Sequence, residues 1–182
     1  MVLEFGTMEE EGMDTSADVT IESLDDVKEE KQLVPPARGV KLKVRKAEIN
    51  KYNEDKYCVI NLQLQIVDGI NDDGEYKGKV VFGKVNYAAD PATYTKDYFV
   101  KKQHLIQAKG LLKAIGMELA QVGVANNGLV KKDGSELVTD QFCEDLKGMV
   151  IIGDIKQTKG NEQYGPDNEV VNFKAVSAES LV

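Results

Sequence analysis

A chain of 182 residues with 42% hydrophobic content has room for one globular domain with a real core. It holds 31 acids against 23 bases, a net charge of −8, which disfavours general adhesion to nucleic acid and leaves a local basic patch open. No run of about 18 apolar residues is present, which excludes a membrane-spanning helix.

The charge is uneven along the chain. Residues 1–31 hold eleven acids and two bases, Lys28 and Lys31, so this segment carries −9 and the remainder +1. It shows no sustained apolar period and cannot bury enough surface to offset the entropy of ordering. Residues 1–32 are therefore expected to form a disordered acidic tail, and residues 33–182 a folded domain. Pro35-Pro36 marks the boundary.

A first strand, Gly39 to Ile49, turns Val40, Leu42 and Val44 inward and Lys41, Lys43 and Arg45 outward. Tyr52-Asn53-Glu54-Asp55 reads as a polar turn. The second strand, Tyr57 to Val67, has the clearest alternation, with Cys58, Ile60, Leu62, Leu64 and Ile66 on one face. A turn-rich loop follows to Gly78, then a third strand from Lys79 to Tyr87, closed by Asp90-Pro91. Phe82, Lys84 and Asn86 share one face of it, with Phe82 expected in the core and Tyr87 displayed near the strand's end.

A helix is expected over Asp97 to Ile115, capped by Thr95 and stopped by Gly116. Its buried stripe is Tyr98, Leu105, Ala108, Leu112 and Ile115. Val122 to Ser135 reads as loop, and a short helix, Asp140 to Lys147, pairs Phe142 with Leu146 before Gly148. Met149 to Gln157 and Glu169 to Val176 are the fourth and fifth strands, around a long loop rich in Gly, Asn and Pro. Five strands with a helix between the third and fourth is the order of an OB-fold barrel, so the expected class is mainly β: a five-stranded OB-fold-like barrel.

Catalytic signatures do not occur. No phosphate-binding loop, GxGxxG, GxSxG elbow or HExxH is found, and His104 is the one histidine. The loop Asp68-Gly69-Ile70-Asn71-Asp72-Asp73-Gly74 fails as a calcium loop, because Gly69 and Val80 occupy positions where an EF-hand needs acids. The expectation is a protein that is not an enzyme and uses no cofactor or metal. Cys58 and Cys143 lack CxxC spacing and read as free thiols, which with an acid-rich start unlike a signal peptide fits the cytoplasm.

Binding to single strands needs cations along a groove and aromatic faces for bases. The candidates are Lys41, Lys43 and Arg45 on the first strand, Tyr57 beside it, Lys84 and Tyr87 on the third, and Lys156, Lys159 and Tyr164 around the last hairpin loop. Alternating lysines equally describe a solvated sheet face that guards an edge.

Several segments carry a family resemblance. They are Leu33-Val34-Pro35-Pro36-Ala37-Arg38-Gly39-Val40, Leu62-Gln63-Leu64-Gln65-Ile66-Val67-Asp68-Gly69, Tyr76-Lys77-Gly78-Lys79-Val80-Val81-Phe82, Leu111-Leu112-Lys113-Ala114-Ile115-Gly116, Leu146-Lys147-Gly148-Met149-Val150 and Asn168-Glu169-Val170-Val171-Asn172-Phe173. Over Leu33 to Val176 the chain resembles small phage-encoded single-stranded DNA-binding-like proteins with an OB-fold. The resemblance implies non-catalytic binding of single-stranded DNA in phage replication or recombination. Its partners would be single-stranded DNA, replication or recombination proteins met through the acidic tail, and a second copy in a homo-oligomer. The alternatives are a protein-interaction or virion-associated module on the same fold and, more remotely, a nuclease. The tail also has the charge to compete with DNA for the Lys41/Lys43/Arg45 face.

Overall fold

Alternating strands close here into a barrel. The structure, a computed structural model, describes residues 32–52, 57–90, 92, 102–161 and 163–177. The acidic tail expected over residues 1–32 lies, but for Gln32, outside them. The long first strand, β1 (Ala37–Tyr52), serves two partners. Its first part pairs antiparallel with β6 (Val150–Thr158), and its second with β2 (Tyr57–Ile66). A register shift between Val44 and Lys46 inserts an extra residue there. The buried positions change parity across it, from Leu42 and Val44 to Ala47, and Arg45 and Lys46 both end up outside.

β2 pairs in turn with β3 (Val80–Ala89), and β3 runs parallel to β7 (Asp167–Lys174), which returns antiparallel to β6. The circuit β1-β2-β3-β7-β6-β1 is a closed five-stranded mixed barrel, the OB-fold-like architecture expected. Its interior is filled by Leu42, Val44, Ile60, Leu62, Leu64, Ile66, Ile151 and Ile155, all nearly inaccessible to water. Space inside is tight. A Cβ on Gly153 would stand 2.6 Å from Val170 Cγ1, so only glycine fits there.

Val34 plugs one end of the barrel. Its N–H donates to Asn168 Oδ1 at 2.8 Å, and its carbonyl accepts from Asn168 Nδ2 at 2.7 Å and Gln157 Nε2 at 3.0 Å. The buried Asn168 side chain thus satisfies both backbone groups of a residue that has no strand partner.

Helix α1 (Lys102–Ala114) lies over β3 and β7 and buries Ala108, Leu111 and Leu112. Gly110 permits the approach, since a Cβ there would meet the Phe173 carbonyl oxygen at 2.9 Å. Tyr98 and the expected cap Thr95 lie outside the described residues. Helix α2 (Asp140–Leu146) packs on β1 through Phe142, Cys143 and Leu146. Thr139 caps it, its side chain accepting the Phe142 N–H at 3.2 Å.

The stretch expected as loop, Val122 to Ser135, instead contains a hairpin of β4 (Val122–Ala125) and β5 (Gly128–Lys131), which extends the sheet from β3 at Ala88. Asn126 and Asn127 both take positive φ, +49° and +55°. That is what a two-residue type I′ turn demands, and asparagine tolerates it better than other non-glycine residues.

Candidate nucleic-acid interface

The outer face of β2 and β3 follows from the same alternation that fills the core. Gln63 lies opposite Phe82, Asn61 opposite Lys84 and Val59 opposite Asn86. At one end of this ladder Tyr52 and Tyr57 stand opposite each other across β1 and β2. Their rings stack with centroids 5.7 Å apart and planes 19° apart. Tyr52 is held further: its hydroxyl accepts from Asn61 Nδ2 at 2.9 Å, and Lys84 Nζ sits 5.5 Å from its ring centroid. Such a cation–π contact contributes about 0.5–1 kcal/mol at an exposed site, and it keeps the ammonium beside the aromatic pair.

From the tyrosines a groove of about 630 Å³ runs between the barrel wall and α1. His104, Ile106 and Gln107 line it on the helix side, and Lys156, Glu169 and Asn172 on β6 and β7. A smaller groove of about 390 Å³ lies across Lys84, with Lys46, Gln63 and Phe82 among its lining. Hydrogen bonds fix much of the larger groove. Asn86 Nδ2 donates to His104 Nδ1 at 2.8 Å, and the Asn172 N–H donates to Gln107 Oε1 at 3.2 Å.

Beneath Asn172 lies Asp154. Asn172 sits within β7 at φ +56°, where the β6–β7 register shifts, and its Nδ2 donates to Asp154 Oδ2 at 2.8 Å. The other oxygen of Asp154 accepts the Gly39 N–H at 2.9 Å. Partial burial pushes this carboxyl up, but the hydrogen bonds from Asn172 and Gly39, with Lys174 and Arg38 nearby, hold it below the ordinary 3.8. One carboxylate thereby ties irregularities in two strands, at Gly39 of β1 and Asn172 of β7.

The structure sorts the sequence-predicted residues into four groups, the last being the buried Tyr87. Tyr57, Lys84 and Lys156 meet in the larger groove. Lys159 and Tyr164 stand exposed on the β6–β7 loop and do not line that groove, Tyr164 being held by Asn161 Oδ1, which accepts its N–H at 2.7 Å. Lys41, Lys43 and Arg45 do point outward, but not beside Tyr57 as expected. Lys43 is registered with Gln65, eight positions from Tyr57 along β2 and so about 27 Å away at the rise of an extended strand. Lys41 Nζ pairs with Asp68 at 2.8 Å, and Arg45 Nη1 donates to Gln65 Oε1 at 3.1 Å.

Two aromatic side chains reverse their expected orientation. Tyr87 is buried, because β3 continues to Ala89 and its odd positions, Val81, Val85 and Tyr87, all face the core. Burial, with Cys58 beside it, pushes its phenol well above the ordinary 10.0. Phe82, expected in the core, is 47% exposed on the outer face. Tyr52, read as a turn residue, belongs to β1 and the aromatic pair. The signal for it was its position: Tyr52 and Tyr57 bracket the polar segment expected as a turn, whose residues 53–56 lie outside the described ones.

Among the described residues no group of three or more His, Cys, Asp or Glu is placed to hold a metal ion, and no helix is long and apolar enough to cross a membrane. Compared with protein-family models and with curated proteins, the chain matches none.

Proposed function

We propose that the protein binds single-stranded DNA without catalysis, across the outer face of β2 and β3. The observation that carries this reading is the stacked Tyr52–Tyr57 pair with Lys84 above it, at the mouth of the larger groove. Aromatic platforms accept any base, at about 1–3 kcal/mol each, and cations beside them take the phosphates. The groove's volume of about 630 Å³ lies in the range that houses a small organic ligand, so it admits a nucleotide unit. From Phe82 to Tyr57 the face extends about 20 Å along the strands. The OB-fold-like barrel supports the reading, since OB-folds bind oligonucleotides on this strand pair. The resemblance in the sequence is the ground for proposing a role in phage DNA replication or recombination.

Fluorescence anisotropy with a labelled oligothymidylate tests it. Binding should weaken steeply with salt, and Tyr52→Ala combined with Tyr57→Ala should weaken it tenfold or more, the equivalent of about 1.4 kcal/mol. No binding at low salt would overturn the proposal. A second reading, a protein-binding face, draws on Glu48, Asp167 and Glu169 in the same grooves and on exposed Phe82. It expects a captured protein partner that Phe82→Ala releases, with no DNA binding.

A further inference from the structure

The lining of the larger groove has a definite hydrogen-bonding sense. Asn86 Nδ2 gives one N–H to His104 and Asn172 Nδ2 gives one to Asp154, so each keeps its second N–H as a donor and its Oδ1 as an acceptor. Gln107 accepts on Oε1 and leaves its Nε2 as a donor. Glu169 is half-buried in the same lining, can only accept when ionised, and among the described residues takes no hydrogen bond or ion pair. Among the described lining residues Glu169 is the one carboxylate.

A carboxylate in the path of a polyanion weakens binding unless it meets donors on the bases. The bases differ in what they offer. Thymine presents one N–H on its pairing edge, and adenine and cytosine one amino group. Guanine presents N1–H and the N2 amino side by side, the geometry a carboxylate accepts with both oxygens. Gln107 Nε2 is available to a carbonyl oxygen such as O6. Lys156, opposite Glu169 in the β6–β7 register, offsets the carboxylate's charge toward the phosphates.

We propose that this groove is a guanine-preferring subsite in which Glu169 reads the N1–H and N2 amino group, while the stacked tyrosines hold a neighbouring base. The inference rests on the single-strand-binding reading and deepens it. The test measures the full-length protein against three oligonucleotides: plain oligothymidylate, the same carrying isolated guanines, and the same with inosine at those positions. Inosine lacks only the N2 amino group. The guanine strand should bind about tenfold tighter than the inosine strand, the scale of one good bidentate contact. Glu169→Gln should lose the guanine preference, binding the guanine and inosine strands equally. Equal binding of guanine and inosine strands by the natural protein, or a preference that survives Glu169→Gln, overturns the subsite and leaves single-strand binding standing. Failure of all three oligonucleotides to bind overturns both.

Discussion

Three tyrosines of this domain show how environment divides one side chain into separate roles. Tyr52 and Tyr57 are half-buried and stack on each other, whereas Tyr87 points inward against Cys58. The buried phenol has a consequence for stability. Its folded value lies above the ordinary 10.0, so the stability linked to it is fully present below 10.0 and is lost as pH rises through the folded value. Denaturant midpoints above that ordinary value should therefore fall faster for the natural protein than for Tyr87→Phe. At neutral pH the variant should lose only about 1 kcal/mol, the net worth of a hydrogen bond. Parallel pH profiles would refute this. The inward direction of Tyr87 was legible, since it shares its parity with Val81 and Val85. What hid it was the strand's real end, two residues further on at Ala89.

At the scale of elements, α1 sets the width of the groove, and Gly110 sets how near α1 comes to β7. Two effects oppose each other in Gly110→Ala. Helix propensity favours alanine by about 1 kcal/mol, but the new methyl would stand 2.9 Å from a backbone oxygen that cannot swing aside, at a cost of about 1–3 kcal/mol. The clash should win, lowering the melting temperature and weakening oligonucleotide binding together. A stabilised variant would show that the helix is free to shift. The elements also show where sequence reading succeeds. β2 was legible because nothing interrupts its alternation from Ile60 to Ile66. In β1 the extra residue after Val44 changes which parity is buried, which alternation alone does not announce. The β4–β5 hairpin went unread because Asn126-Asn127 supplies its turn within a polar stretch, between strands of four residues each. In the site, the shared face of Phe82, Lys84 and Asn86 was visible from spacing, but that Phe82 turns outward on it was not. Its junction with Tyr52 and α1 was not, since it depends on barrel closure.

At the scale of the whole molecule, net charge and domain charge differ. Removing residues 1–31 takes the chain from −8 to +1. Oligonucleotide affinity should therefore rise at low salt and converge with that of the full chain at high salt, where long-range fields are screened. Equal affinity at every salt concentration would show that the acidic segment does not influence binding. The barrel's closure has a further consequence. β1 and β2 are registered along the whole length of β2, but β3 and β7 only at Phe82–Glu169 and Gly83–Val170. That parallel joint is where thermal breathing should part the wall first, so amide exchange at Gly83 and Val170 should outpace exchange at Leu62 and Leu64. The larger groove crosses the same joint, with Lys84 and Asn86 on one bank and Glu169 and Val171 on the other. Whatever fills it acts as a hoop around the staves, and saturating ligand should slow exchange at the joint more than anywhere else in the barrel.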